Sequence, residues 1–377
     1  MGLERDGLTE KYKKRRAAVL RAAVKQSDGR VAGLMITNPV DVHYLSGLRE
    51  GCPALLIGKK WCVLFTSNMF KDLVPRFAPG AETMLFKHLD QEMAGIFNSR
   101  GVKGIGIQTD HMAIDRYRSL CKTIPEKKLV PVPGVVGRCR AVKDDGEIAL
   151  TQKAIRIAEK AMKQLLGGGA GYFIGRTEKQ LAAELEYRMR SLGADKQGFQ
   201  GNGTIVGAGP NSAACHHVPT NRKVKRGDPV LFDWGAELDG YRSDMTRVVF
   251  IDSVPERIGK IYSLVREAHL AAVDLLKPGV SCRKVDAAAR DWIAAAGYTT
   301  EFRHGLGHGI GLQIHEAPTL GTASKERLKK NMIVTIEPGI YFIGTGGVRL
   351  EDDYLITSDG CKNLCTLPTK LDKWILT

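Results

Sequence analysis

The segment HGLGHGIGLQIHE, residues 304–316, places three of the chain's nine histidines among four glycines. Imidazole beside permissive backbone suits a metal site, an oxyanion hole or a tight turn, so the choice depends on what the rest of the chain can bring to it. The segment DPVLFDWGAELDGYRSDMTRVVF, residues 228–250, has two strand-like arms around Asp239-Gly240, a pair favoured in two-residue hairpin turns. With those two residues as the loop, Asp233 faces Thr246 and lies diagonal to Asp244. Side chains alternate along a strand, so the two carboxylates emerge on one face, within reach of one ion. Carboxylates aimed at one point repel unless a proton or a cation sits between them. Downstream, Glu337 ends the β-branched run of MIVTIEPGIYF, and Glu351 follows the turn GTGG in VRLEDDYLIT. Asp233, Asp244, His308, Glu337 and Glu351 together offer four carboxylates and one imidazole, a formal charge of −4 that two divalent cations would balance. Oxygen-rich ligation suits Mn²⁺ better than the thiolate sites that select zinc, although Co²⁺ and Zn²⁺ can occupy such a set. Taken singly, each acid reads as a turn or surface residue and the histidine as hydrogen-bonded structure; the joint pattern is what gives them weight.

The elements that must position these groups fall into two regions. Up to about Arg140 the chain alternates short apolar runs, VAGLMIT (31–37), ALLIG (54–58), WCVLFT (61–66) and KGIGI (103–107), with an amphipathic stretch at 90–99. That pattern predicts a small α/β layer domain over 1–140. Beyond the proline- and glycine-rich VPVPGVVGRCR, a helical sequence covers 147–166. A second begins where Thr177 and Gln180 have capping-box spacing; Leu181, Leu185, Met189 and Leu192 make its apolar stripe, and Gly193 is placed to stop it. Further helices are predicted over 256–276 and 283–296, with strand-rich segments between, so 141–377 reads as an α+β domain. No short internal repeat and no low-complexity segment is present.

Composition narrows the function. The chain has 377 residues, 43% of them apolar, and no run approaching the ~18 uninterrupted apolar residues of a membrane helix. MGLERDGLTE has no apolar core of the kind a secretory signal needs, and Asp6 stands where a myristoylation signal wants serine or threonine. The eight cysteines are scattered; CKNLC, with Cys361 and Cys365, lacks the second pair or histidine of a zinc knuckle. Reduced thiols and a cytoplasmic location are expected. The net charge of +15 invites a nucleic-acid reading. However, KYKKRRAAVLRAAVK (11–25) and KERLKK (325–330) are not interleaved with aromatics for base stacking, and solvated basic faces account for both, so no nucleic-acid or membrane partner is expected. Neither GAGPNS nor GLGHGI completes the Gly-x-Gly-x-x-Gly of a dinucleotide site.

In order, NPVDVHYLSG (38–47), RAVKDDGEI, GNGTIVGAGPNSAACHHVPTNRKVKRGD, DWGAELDGYRSDMTR, HGLGHGIGLQIHE, TIEPGIY and VRLEDD resemble the pita-bread metallopeptidase family of methionine aminopeptidases, Xaa-Pro aminopeptidases, Xaa-Pro dipeptidases (prolidases) and creatinases. The resemblance spans nearly the whole chain. It implies a creatinase-like N-terminal α/β domain and an α+β pita-bread catalytic domain, with Asp233, Asp244, His308, Glu337 and Glu351 binding two metals and Asp244 and Glu351 bridging them. His216, by its spacing from Asn211, matches the family's active-site histidine, with His217 as support, and His315 matches a second histidine that is not a ligand. Cys215 departs from the pattern by standing where proline is common. A Cys215–His216 nucleophilic pair is disfavoured, since neighbours in an extended strand point to opposite faces. His304, Tyr341 and Arg349 are implied as substrate contacts or as residues that orient the ligands, an ion pair to a ligating carboxylate being an equal role for Arg349. The glycines are expected to let backbone and ring pack against the metal cluster.

On this resemblance, paired cations about 3.5–4 Å apart would hold a bridging hydroxide near neutral pH and polarise the carbonyl it attacks. Glu337 would pass the proton to the leaving nitrogen, with His216 and His315 on the oxyanion or substrate carboxylate. Methionine aminopeptidases resemble only the catalytic half, so the added domain implies the Xaa-Pro branch, short peptide substrates and a homodimer. The alternative on the same fold is a metal-dependent hydrolase of a small non-peptide amide, as in ectoine hydrolases or creatinase; a binding protein without catalysis comes third, since no ligand is missing.

Overall fold

In the computed structural model the structure describes residues 2–78, 81–199, 201 and 203–377. By contact the chain divides into two compact units, Met1–Arg140 and Ala141–Thr377.

The first unit is built on a six-stranded mixed sheet, in the order Glu82–Leu85, Cys62–Thr66, Ala54–Gly58, Gly33–Ile36, Ile105–Ile107, Leu129–Pro131. The central strands are buried along their whole length, which is why they read as continuous apolar runs rather than alternating ones. The short helix Pro39–Ser46 opens where Asn38 caps the Val40 N–H and Pro39 pre-sets the first turn. The basic stretch near the start is a helix, Gly2–Gln26, but its cations are not all solvated. Arg15 and Arg16 are buried and donate to the carbonyls of Tyr44 and Leu45, each at 3.0 Å, so two of these charges cap the C-terminal end of the neighbouring helix.

The second unit begins with the helix Asp145–Leu166, entered through a capping box between Asp144 and Glu147. Thr177 and Gln180 form the second box and start the helix Glu178–Ser191, whose Leu181, Leu185 and Met189 are buried. Helices Glu256–Val273 and Cys282–Ala295 complete the long helices. They cover two sheets, one ordered Ile375–Leu376, Met245–Ile251, Pro229–Trp234, Ile205–Ala208, the other Glu316–Leu320, Gly307–Gly309, Ile333–Ile336, Asp352–Ile356, Cys361–Asn363. Trp234, fully buried, ties sheet to helix by donating to the Ala158 carbonyl at 3.1 Å. Thr246 bridges to Glu351 between the sheets, with the Glu351 N–H on the Thr246 carbonyl at 3.2 Å. That seam is where the acidic groups converge.

Candidate metal centre

The acidic hairpin folds in the register its sequence predicts. Asp239 and Gly240 both take positive φ, 52° and 82°, as a primed turn needs, and Asp233 pairs with Thr246. Asp233 and Asp244 therefore share a face. Between them the arms come close at Gly235, where a Cβ would lie 1.8 Å from the Ser243 carbonyl oxygen. Glu337 follows the strand Ile333–Ile336, and Glu351 sits in the seam, its carboxylate accepting from the Thr246 hydroxyl at 2.7 Å.

These elements surround a cavity of about 510 Å³. Its wall includes Asp233, Asp244, His308, Glu337 and Glu351, together with His216, His304, His315 and Arg349. Asp244, His308 and Glu351 each present one ligand atom with all three within 4.8 Å of one another. His308 Nε2 stands 3.4 Å from Glu337 and 3.7 Å from Asp244. Its Nδ1 faces the Gly309 carbonyl at 3.1 Å, which leaves Nε2 for the cavity when Nδ1 carries the proton. Asp233 accepts from Arg349 at 2.5 Å through one oxygen. The other oxygen, like one of Asp244 and one of Asp353, is buried with no hydrogen-bond donor.

Electrostatics make the arrangement unstable as a set of bare anions. Burial, with the charges of Glu351, Asp233, Asp353 and Glu337, holds the Asp244 carboxyl far above the carboxylate range; burial and Glu351 do the same to Glu337, and Glu351 is pushed up to about 8 by burial and Asp233. His308 is driven the other way, to about 3, by burial and by His315, whose ring meets it edge-on at 4.3 Å. An imidazole kept neutral, carboxylates that cannot all ionise together, and buried oxygens without donors are what divalent cations would satisfy.

The glycines of the opening motif answer to a different neighbour than the sequence suggests. A Cβ on Gly307 would lie 2.1 Å from the Thr335 carbonyl oxygen, and one on Gly309 would lie 2.1 Å from that of Ala317. It is the two flanking strands, pressed against the one carrying His308, that exclude side chains there, rather than the carboxylate cluster. The turn at 215–216 brings a second correction. Residues 215–217 are not extended, and Cys215, His216 and His217 all line the cavity. Tyr341 is fully buried and takes no part in the lining; its hydroxyl links His304 Nε2 at 2.9 Å to Arg349 at 3.0 Å. Arg349 also donates to the Thr246 hydroxyl at 2.9 Å, so it braces Asp233 and the seam together.

One residue went unnoticed in the sequence. Glu178, wholly buried in the first turn of its helix, accepts five hydrogen bonds: from Ala208 N, Asn211 Nδ2, His217 Nε2, Thr220 N and Thr220 Oγ1, all at 2.7–2.9 Å. Burial alone would raise its pKa, but these donors outweigh burial and hold it below the ordinary value. Glu178 thus pins both ends of the loop that presents His216 and His217. Its position beside the Thr177 cap was visible in the sequence, yet nothing there signals partners 30–42 residues away.

A buried, open-sided cluster of carboxylates and imidazole, assembled from two sheets of an α+β unit, is the machinery of a metal-dependent hydrolase. More specifically, the chain belongs to metallopeptidase family M24, whose model matches residues 149–358; residues 16–142 match the creatinase/prolidase N-terminal domain. The second unit therefore has the pita-bread fold and the first the creatinase-type fold. The chain is 34% identical to an Xaa-Pro dipeptidase of Pyrococcus horikoshii over 335 residues, 88% of this chain and 92% of that one. Its structure is similar to that of an Xaa-Pro dipeptidase from Bacillus anthracis (TM-score 0.88, 33% identity, 95% and 99% of the two chains). An X-Pro aminopeptidase from Thermotoga maritima is also similar (TM-score 0.83, 31% identity, 92% and 97% of the two chains). Among the described residues no helix is long and apolar enough to cross a membrane.

Proposed function

We propose that this metallopeptidase hydrolyses the Xaa-Pro bond at the N-terminus of short peptides, with Asp233, Asp244, His308, Glu337 and Glu351 as the residues that would hold two divalent cations. The observation that carries the reading is the crowding of four carboxylates around one neutral imidazole in a cavity that opens to substrate. The dipeptidase and aminopeptidase relatives, similar across both units, support the Xaa-Pro substrate. We take 1–140 and 141–377 as the two domains, Mn²⁺ as the metal on the oxygen-rich donor set, and a homodimer on the resemblance of the first domain. The eight free cysteines suit a reducing, cytoplasmic location.

Bound at this site, the cations would lower the pKa of the attacking water and polarise the scissile carbonyl. The chain's own residues supply the rest. Glu337, 3.4 Å from His308 and 4.0 Å from His304, is placed to accept the water's proton and return it to the leaving nitrogen. His315 and His216, on the exposed side of the cavity, donate to the oxyanion or to the carboxylate of a dipeptide. Burial and the Arg349 charge hold His304 at about 4, so near pH 7 it is neutral; through Tyr341 it steadies Arg349, which orients the Asp233 carboxylate.

The test is hydrolysis of Gly-Pro and a Gly-Pro-Xaa tripeptide by metal-stripped protein with and without Mn²⁺, beside Asp244→Ala. Mn²⁺-dependent cleavage before proline, lost in the variant, is the expected result, and the ratio of the two substrates separates dipeptidase from aminopeptidase. No cleavage of either by protein with metal bound overturns the Xaa-Pro assignment.

A further inference from the structure

The catalytic cavity continues past its carboxylates. His304, Gly305 and Thr319 in its wall also line a second cavity of about 610 Å³, bounded by residues 321–326. Through residues 322–325 that space adjoins a third, of about 440 Å³, beside the start of the helix Cys282–Ala295. Charge changes sign along this path. The catalytic end is acidic, the second cavity carries Arg303 and Lys325, and the third carries Arg283, Lys325 and Arg327 with no carboxylate in its lining.

The cations are not there to balance local acids. In the second cavity Arg290 is already held through two nitrogens by Asp286, and the single lining carboxylate, Glu326, accepts from the Thr319 N–H at 2.9 Å. Arg303 and Lys325 are exposed, and no carboxylate among the described residues lies within ion-pair distance of either. Unpaired cations gathered in a concavity repel one another, and a bound carboxylate relieves that repulsion.

The proposed Xaa-Pro activity, on which this inference rests, limits what can reach the trough. An enzyme that removes one N-terminal residue leaves only two parts of a peptide free to extend: the first side chain, and the chain after the proline. A glutamate side chain reaches about 5 Å, whereas an extended chain advances about 3.4 Å per residue and so can pass through successive cavities. We propose that the trough from Arg303 and Lys325 to Arg283 and Arg327 is a binding subsite for the downstream part of the substrate, selecting Xaa-Pro peptides with an acidic residue after the proline. The chain then acts on peptides longer than the dipeptide, reading the side chain beyond proline by charge.

Calorimetric titration of the full-length, chelator-treated protein tests this without hydrolysis, comparing Gly-Pro-Glu with Gly-Pro-Gln and Glu-Pro with Gln-Pro at low and high salt. The acidic tripeptide is expected to bind about three- to tenfold tighter than its amide, from two partly exposed ion pairs, with the advantage shrinking at ~0.5 M salt. In Arg303→Gln/Lys325→Gln the advantage is expected to vanish, and the two dipeptides to differ by less than twofold. Should the double variant not fold, Lys325→Gln alone, in an exposed irregular segment, is expected to lose about half of it. Equal affinities for the tripeptides overturn the proposal, as does a tripeptide preference that survives the substitutions. A preference of the same size in the dipeptide pair also overturns it, by assigning the anion to the residue before proline. Gly-Pro hydrolysis with Mn²⁺ is measured on the same preparation: its absence removes the Xaa-Pro reading, while the calorimetric ratio still decides whether the trough takes a peptide carboxylate.

Discussion

Replacing Glu178 by glutamine changes one oxygen to an amide nitrogen and removes the charge, at a residue that touches neither the cluster nor bulk solvent. In the native loop one carboxylate oxygen accepts from Ala208 N and Asn211 Nδ2, the other from His217 Nε2, Thr220 N and Thr220 Oγ1. An amide must turn its NH₂ to one of these groups. Facing Thr220, the hydroxyl can rotate and the imidazole can change tautomer, but the Thr220 N–H cannot; facing Ala208, the Asn211 amide can flip, but the Ala208 N–H cannot. Either way one backbone donor is left unpaired against another donor, costing about 1–3 kcal/mol, and the remaining bonds lose their charge assistance. The sum is about 3 kcal/mol. In a unit of this size each kcal/mol moves the unfolding midpoint by about 2–4 °C, so the catalytic unit of Glu178→Gln is expected to melt roughly 6–12 °C below wild type in differential scanning calorimetry. Because the loop carries His216 and His217, kcat/KM on Gly-Pro is expected to fall by about tenfold or more. The loss of stability has a pH signature as well: a carboxylate held below its ordinary value contributes above the unfolded pKa, and that contribution fades as pH falls through the folded one. A melting point within 2 °C of wild type at pH 7 would refute the claim that this charge holds the loop.

Asp244→Ala removes one of the mutually repelling carboxylates, so the chelated variant should melt no lower than chelated wild type, while the gain of about 5–10 °C expected of wild type with Mn²⁺ at ~100 times Kd should disappear; a variant that keeps the gain would remove Asp244 from the metal site. His269 is fully buried against the Tyr354 hydroxyl at 3.1 Å, and burial lowers it from 6.5 to about 4. The unfolded chain therefore binds the proton first, and stability that is level above pH 6.5 falls between 6.5 and about 4 by about 3 kcal/mol; urea unfolding of wild type and His269→Asn at pH 7.5 and 4.5 reads the share that depends on this side chain. Gly307→Ala sets a Cβ 2.1 Å from the Thr335 carbonyl oxygen and is expected to displace His308 and abolish metal-dependent melting shifts, whereas Gly344→Ala, with open space but φ of 80°, should cost only about 1–2 kcal/mol; equal effects in calorimetry would disprove the close-approach argument.

What could be read from the sequence alone is what neighbours along the chain decide. The Thr177–Gln180 box, the helix it starts, and the pairing of Asp233 with Thr246 all follow from spacing, because a cap or a two-residue turn closes within a few residues and transmits its register down the strands. The four carboxylates stood out as acids in strand-like segments, whereas the choice of His308 among the three histidines of its segment came from the family resemblance. Tertiary structure alone decided the contacts made across the fold. It set Glu178 beneath a loop some 30–40 residues ahead, turned 215–217 so that three neighbours face one cavity, buried Arg15 and Arg16 against a helix end, and pressed strands against Gly307 and Gly309. Such partners leave no periodic trace in the chain, since which donor finds a buried carboxylate depends on where sheets and helices pack.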